Sequence, residues 1–176
     1  SAFASQTFDV IPDLMTMAKA LTNGAQPMGA VAVQDKIYET ITEAAPENAI
    51  EIFHGYTFSG HPAACAAGIA VQDIFQNEQL FNRAAELSDY FLDGLFDLKD
   101  LDSVRDIRGF GLLGAVEVKA NNNPGTRGAA AQIELFKKGM HVKFTGDSGI
   151  VAPPFISEKS HIDEMMDKLR SMLEVI

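Results

Sequence analysis

The chain has 176 residues, 47% hydrophobic and 22% charged, the make-up of a folded globular chain that can bury a core without disulfide or metal staples. Its 24 acidic side chains against 14 basic ones, a net charge of −10, argue against nucleic acid as a partner. No stretch approaches the ~18–20 uninterrupted apolar residues of a membrane span, and the lone Cys65 has no internal partner for a bridge, which suits the reducing cytoplasm.

The chain opens Ser1-Ala2-Phe3, with no initiator Met and no signal-like stretch, and reads as an internal start. Pro12 makes Ile11 extended, and Asp13 then caps a helix expected from Leu14. That helix, LMTMAKAL, stops at Asn23-Gly24. Gly29 to Val33 reads as a buried strand of small residues. A helix from Asp35 gives way to a polar loop around Pro46, and HGYTFSGHP follows, dense in glycine, aromatic and hydroxyl residues. After Pro62 a long helix opens with AACAAGIAVQDIF, whose small residues imply a close neighbour. Phe81, Ala84, Ser88, Phe91 and Leu95 then form one apolar helical stripe.

From Asp100 the pattern changes. VRDIRGFG and LLGAVEVKA predict paired strands, NNNPG a loop, and AAAQIELFKK a helix closed by Gly139. MHVKF and GIVAPP are short extended pieces. Ile162, Met165, Met166, Leu169, Met172, Leu173 and Ile176 mark an amphipathic last helix, with Ser160 and Asp163 as its capping box. The order β-β-α-β-α is a small α/β layer of its own, which sets a boundary near residue 98, dividing 1–98 from 99–176.

Several motifs compete for chemistry. Gly109 to Gly114 match G-x-G-x-x-G, but a dinucleotide site needs that turn to open a helix. The residues that follow, Ala115-Val116-Glu117-Val118, alternate like a strand, so the glycines read as backbone permissiveness at a bend or bulge. His54, His61 and Cys65 are too few and too widely spaced for zinc, so no metal is assigned. Ser59-Gly60-His61 lacks the flanking glycines of a nucleophile elbow. Lys19 is the sharper case. Met15, Met17, Ala18, Ala20 and Leu21 surround it, and no acid stands four residues away on either side. It is either a plain solvated lysine or an amine whose pKa is depressed by apolar surroundings, as a Schiff-base lysine requires. The hydroxyls and glycines around Thr57, ahead of a helix, offer donors for a phosphate. A dry lysine with a phosphate cradle is the minimum kit for pyridoxal phosphate (PLP).

The segment PDLMTMAKALTNGAQPMGAV closely resembles the Schiff-base segment of class III aminotransferases, a subgroup of the fold-type I PLP enzymes. HGYTFSGHPAACAAGIA resembles that family's second signature, and the strand-turn around IRGFGLLGAVE its third. AIEIFHGYTFSGHP and HVKFTGDSGIVAPPF most resemble the ω-amino acid:pyruvate (β-alanine:pyruvate-like) branch. The resemblance implies an α/β chain made of the end of the large PLP-binding domain and the small C-terminal domain. It implies that Lys19 carries the cofactor and shuttles the proton, that Thr57 binds the cofactor phosphate of the neighbouring subunit of a homodimer, and that Tyr56 lies near that phosphate. The implied reaction passes an amino group from an amine or ω-amino acid to a keto acid such as pyruvate. Lys143 stands where many members carry a carboxylate-clamping arginine; a lysine lacks the bidentate fork, so it is either a weaker clamp or a solvated residue. The family's phosphate loop, ring-stacking aromatic and pyridine-nitrogen aspartate all precede the lysine segment and have no place here; Asp9 and Asp13 stand in the wrong context. The expectation is therefore an enzyme portion that is inactive alone. A non-catalytic remnant or interaction module of the same fold is the alternative.

Overall fold

The computed structural model describes residues 1–49, 52 and 55–176. The chain divides into two compact units, Ser1–Gln79 and Leu80–Ile176.

The first unit opens with a short helix, α1 (Ala4–Thr7), and a hairpin of β1 (Leu14–Ala18) and β2 (Gly29–Val33). The strands pair antiparallel from Leu14↔Val33 to Ala18↔Gly29. The expected helix at Leu14 is thus a strand. Leu-Met-Thr-Met-Ala alternates in exposure, a period of two that pairing with the small residues of β2 reinforces. Asp13 caps nothing and instead forms an ion pair with Lys36 at 2.8 Å. A 3-10 turn (Lys19–Leu21) follows β1, and α2 (Asp35–Glu43) follows β2. β2 was expected to be buried, but none of its residues is. Helix α3 (Pro62–Asn77) completes the unit. Thr22 and Ala64 are its only buried residues among those described.

The single long helix expected after Pro62 is broken. Gln79 takes a left-handed φ of 51°, and α4 (Leu80–Phe96) begins after it. The two compact units divide there, with α4 in the second core. Leu87, Phe91 and Leu95 of α4 are buried in one cluster with Val116 and Val118 of the sheet and Leu169 and Met172 of the last helix.

The second unit is a four-stranded antiparallel sheet in the order β3-β4-β6-β5, built from β3 (Val104–Phe110), β4 (Leu113–Val118), β5 (Lys143–Thr145) and β6 (Ser148–Val151). α5 (Thr126–Lys137) lies between β4 and β5, and α6 (Lys159–Leu173) closes the chain. The element order is β-β-α-β-β-α. The two C-terminal extended pieces form a hairpin, where one strand was expected. The registers put Ile107, Val116, Gly149 and Phe144 in one cross-strand row, and Arg108, Ala115, Ile150 and Lys143 in the next, facing the opposite way. The first row joins the core with the helices; Arg108, Ile150 and Lys143 of the second are exposed.

Glycines let the helices come close. A Cβ on Gly114 would lie 2.3 Å from Leu95 Cδ2 and 3.2 Å from Phe91 Cζ, and one on Gly109 would lie 2.4 Å from Leu92 Cδ2. No helix starts at Gly114. The G-x-G-x-x-G match is a hairpin pairing Gly109 with Gly114, turned by Gly111 at φ 59°. The tip of the β5–β6 hairpin docks on the first turn of α5 in a similar way. Asp147 accepts N–H bonds from Gly125 (2.8 Å) and Gly128 (2.9 Å), satisfying helix-start donors from another part of the chain. At the start of α6 the expected Ser160–Asp163 box is not formed. The Glu158 N–H donates to His161 Nδ1 (3.0 Å), while Asp163 is taken by the Tyr90 hydroxyl of α4 at 2.5 Å.

Two outcomes follow from the α5 dock. A Cβ at position 128 would fall 2.0 Å from the Gly146 carbonyl oxygen, a backbone atom, so Gly128→Ala is expected to cost about 1–3 kcal/mol in urea unfolding of the chain. The backbone bonds from Gly125 and Gly128 hold the Asp147 carboxyl below its ordinary value of 3.8. Its stabilisation is therefore complete above that ordinary value and is lost as pH falls through the lower folded one. Thermal melts of Asp147→Asn should then show a smaller loss on acidification than wild type over that range; equal losses would contradict the assignment.

Candidate functional site

The lysine turn is built from β1 outward. The hairpin register ends at Ala18↔Gly29, where Ala18 is still extended, and Lys19 then reverses the chain with a left-handed φ of 54°. Lysine has no local reason to adopt that conformation, which costs an L-residue roughly 1–2 kcal/mol. Such outliers persist where surrounding contacts hold them, and they cluster at functional sites. Asn23 and Gly24, also left-handed, turn the chain back toward β2.

α3 supports this turn. The Leu21 carbonyl oxygen and Met28 Sδ face Gly68 of α3, 3.5 and 3.6 Å from where a Cβ would lie, an ordinary van der Waals distance. Gln26, Met28 and Gly29, just past the turn, share a cavity of about 600 Å³ with Gly60, His61 and Cys65.

Lys19 itself is exposed, so its expected apolar surroundings are absent from this chain. Lys19 and Lys36 are the only lysines before residue 79, a stretch without arginine. Lys36 is held by Asp13, whereas the Lys19 side chain makes no ion pair or hydrogen bond with the described residues. Tyr56 is 46% exposed, and Thr57 is exposed with its N–H donated to the Gly55 carbonyl at 2.9 Å. Both lie in the loop that leads into α3, in the same unit as Lys19, and no hydrogen bond links that lysine to Thr57. Lys143 belongs to the second unit, exposed on β5 opposite Ile150. His54 lies outside the described residues. Among those described, no group of three or more His, Cys, Asp or Glu side chains is placed to hold a metal ion, and no helix is long and apolar enough to cross a membrane.

The donor set suits a carbonyl cofactor bearing a phosphate, in part. Lys19 offers a free primary amine on a held turn, and Thr57 and Ser59 offer hydroxyls near the start of α3. An acid for a ring nitrogen is not among them. Asp13 is tied to Lys36, and Asp9 is an exposed residue in a left-handed turn. Composition reasoning did not pick out Thr22 and Asp147. Thr22 has almost no exposed surface, and Asp147 holds the hairpin that carries Lys143.

The chain is similar throughout to known transaminases. It is 43% identical over 172 residues to an omega-aminotransferase of Caulobacter vibrioides, which covers 97% of this chain and 39% of that protein. It is 41% identical to a beta-alanine--pyruvate aminotransferase of Pseudomonas aeruginosa, covering 98% of this chain and 39% of the relative. The chain therefore spans about two-fifths of the length of these curated relatives. Among solved structures, a transaminase with L-alanine superposes with a TM-score of 0.90 at 30% identity, over 97% of this chain and 42% of that one. An (S)-enantioselective omega-transaminase from Thermomicrobium roseum gives 0.86 at 32% identity, over 98% and 39%. The fold is accordingly that of the fold-type I transaminases. The family model for class-III aminotransferases matches residues 1–173, and the chain belongs to that PLP-dependent family.

Proposed function

We propose that this chain is the C-terminal portion of an aminotransferase that moves an amino group from an ω-amino acid or amine to pyruvate. The observation that carries the reading is Lys19, its side chain without a partner among the described residues and its backbone in a left-handed turn at the end of β1, within a segment matched by the class-III family model. The names of the relatives support the substrate class. On this reading residues 1–98 are the end of the large domain with its connecting helix, and residues 99–176 are the small C-terminal domain.

Bound PLP supplies an electron sink for the electrons released at the amine carbon. The remaining work falls to side chains. Lys19 Nζ would hold the cofactor through its aldehyde, and the same amine, when free, would act as the base and acid that moves the substrate's proton. The Thr57 hydroxyl would donate to the cofactor phosphate of a second subunit in a homodimer, with Tyr56 near that phosphate. Lys143 attracts the substrate carboxylate as a point charge. The acid that keeps the ring nitrogen protonated is not supplied by these residues, so the 176-residue chain alone is expected not to turn over β-alanine with pyruvate. The cytoplasm is the proposed compartment, on the strength of the single cysteine.

The test is covalent. The chain is incubated with PLP, reduced with borohydride and mapped by peptide mass spectrometry. A pyridoxyl label concentrated at Lys19 supports the reading. Label spread over Lys36, Lys137 and Lys143 in proportion to exposure would favour a non-catalytic remnant of the fold.

A further inference from the structure

Thr22 is 2% exposed in a unit where Ala64 is the other buried residue among those described. A small polar side chain thus holds the most protected position in the lysine-bearing half of the chain. All three of its hydrogen-bonding groups act on one loop. Its hydroxyl donates to the Gln26 carbonyl at 2.5 Å, its N–H donates to the Lys19 carbonyl at 3.4 Å, and its own carbonyl accepts from the Ala25 N–H at 3.0 Å. Left-handed residues flank it, Lys19 at 54° on one side and Asn23 and Gly24 at 48° and 79° on the other. Gly24 takes such a φ freely and Asn23 tolerates it, but Lys19 needs to be held. On its outer side the loop meets α3, where the Leu21 carbonyl faces Gly68.

We propose that Thr22 is the positioning residue of Lys19. This rests on the reading of Lys19 as the lysine that condenses with the PLP aldehyde. The hydroxyl clasp from Thr22 to Gln26 keeps Lys19 in its left-handed turn, and the direction of the amine follows from that backbone conformation. Without the clasp, Lys19 returns to an ordinary negative φ, its side chain swings away with the backbone, and it reacts as any exposed lysine does. The competent fraction of the chain, and the observed reaction in proportion, then falls.

The experiment compares wild type, Thr22→Val and Thr22→Ser in the 176-residue chain. Valine keeps the shape and loses the hydroxyl; serine keeps the hydroxyl. Each is treated with PLP and borohydride for short times, and the labelling rate of Lys19 is divided by that of Lys36, the other lysine of the same unit. Wild type should give a ratio well above one. Thr22→Val should lower it by about fivefold, the effect of losing one net hydrogen bond, and Thr22→Ser should restore most of it. Amide exchange over Leu80–Ile176, followed in parallel, should be the same in all three, which separates a local change from loss of the fold. A Thr22→Val ratio equal to wild type overturns the positioning role while leaving Lys19 assigned. A wild-type ratio of one instead overturns the assignment of Lys19, and the role of Thr22 falls with it.

Discussion

The close approach of α4 to the β3–β4 hairpin is the constraint on which the second unit depends. Phe91 and Leu95 have no exposed surface, and they lie where Gly114 has no side chain. Any larger residue at that row would lift the helix off the sheet, and interiors packed at crystal-like density transmit such shifts. The rest of the unit closes around this contact. α6 brings Leu169 and Met172 into the same cluster, and the buried Ser103 hydroxyl donates to the Leu173 carbonyl at 2.5 Å. α5 is fixed at its start by Asp147 and at its flank by Arg127, which donates to the Lys119 and Ile176 carbonyls.

Burial is shared unequally between the two units. Apolar burial of about 25 cal/mol per Å² is the main driving force of folding, and it is concentrated in Leu80–Ile176. The lysine-bearing unit leaves Val10, Ile11, Leu14, Val31, Phe58 and Ile69 more than half exposed. Its two-stranded sheet is below the size that holds itself together in water. Its order is local, in the β1–β2 register, the Thr22 loop and the seat of Leu21 on Gly68. The Lys19 turn thus belongs to the unit with the more exposed apolar surface. The acidity found at the outset is also uneven. Before residue 79 the only lysines are Lys19 and Lys36, so a phosphate there would depend on local N–H and O–H donors more than on net charge.

Much of the second unit was legible because its signals are local. Alternation marked β3 and β4, and spacings of three and four marked α4 and α6. The helix expected at Leu14 shows the limit of that reasoning. Met15, Ala18 and Leu21 satisfy a helical spacing while Met15 and Met17 satisfy a strand one, and the pairing with Gly29–Val33 decides between them. The glycines of the G-x-G-x-x-G match lie in a hairpin, as the alternation after them implied, but the reason for glycine there, the depth of Leu92 and Leu95 against the hairpin, is a tertiary fact. Lys19 was visible by resemblance; its left-handed φ was not, because lysine carries no turn signal. Thr22 and Asp147 escaped notice for the same reason. A threonine three residues after a lysine and an aspartate in a glycine-rich hairpin are ordinary in sequence and acquire their roles from the carbonyl or N–H that folding brings to them.

Native-state amide exchange across the whole chain tests the uneven distribution of stability most directly. The account predicts that amides of α4, β4, β6 and α6 exchange only through cooperative opening of Leu80–Ile176, at one shared free energy. Those of β1, β2 and α2 should exchange through separate and much easier openings, with the Ala25 amide among the better protected of its unit. Equal protection in the two units would contradict the account, since the burial that distinguishes them would then not be what holds the fold.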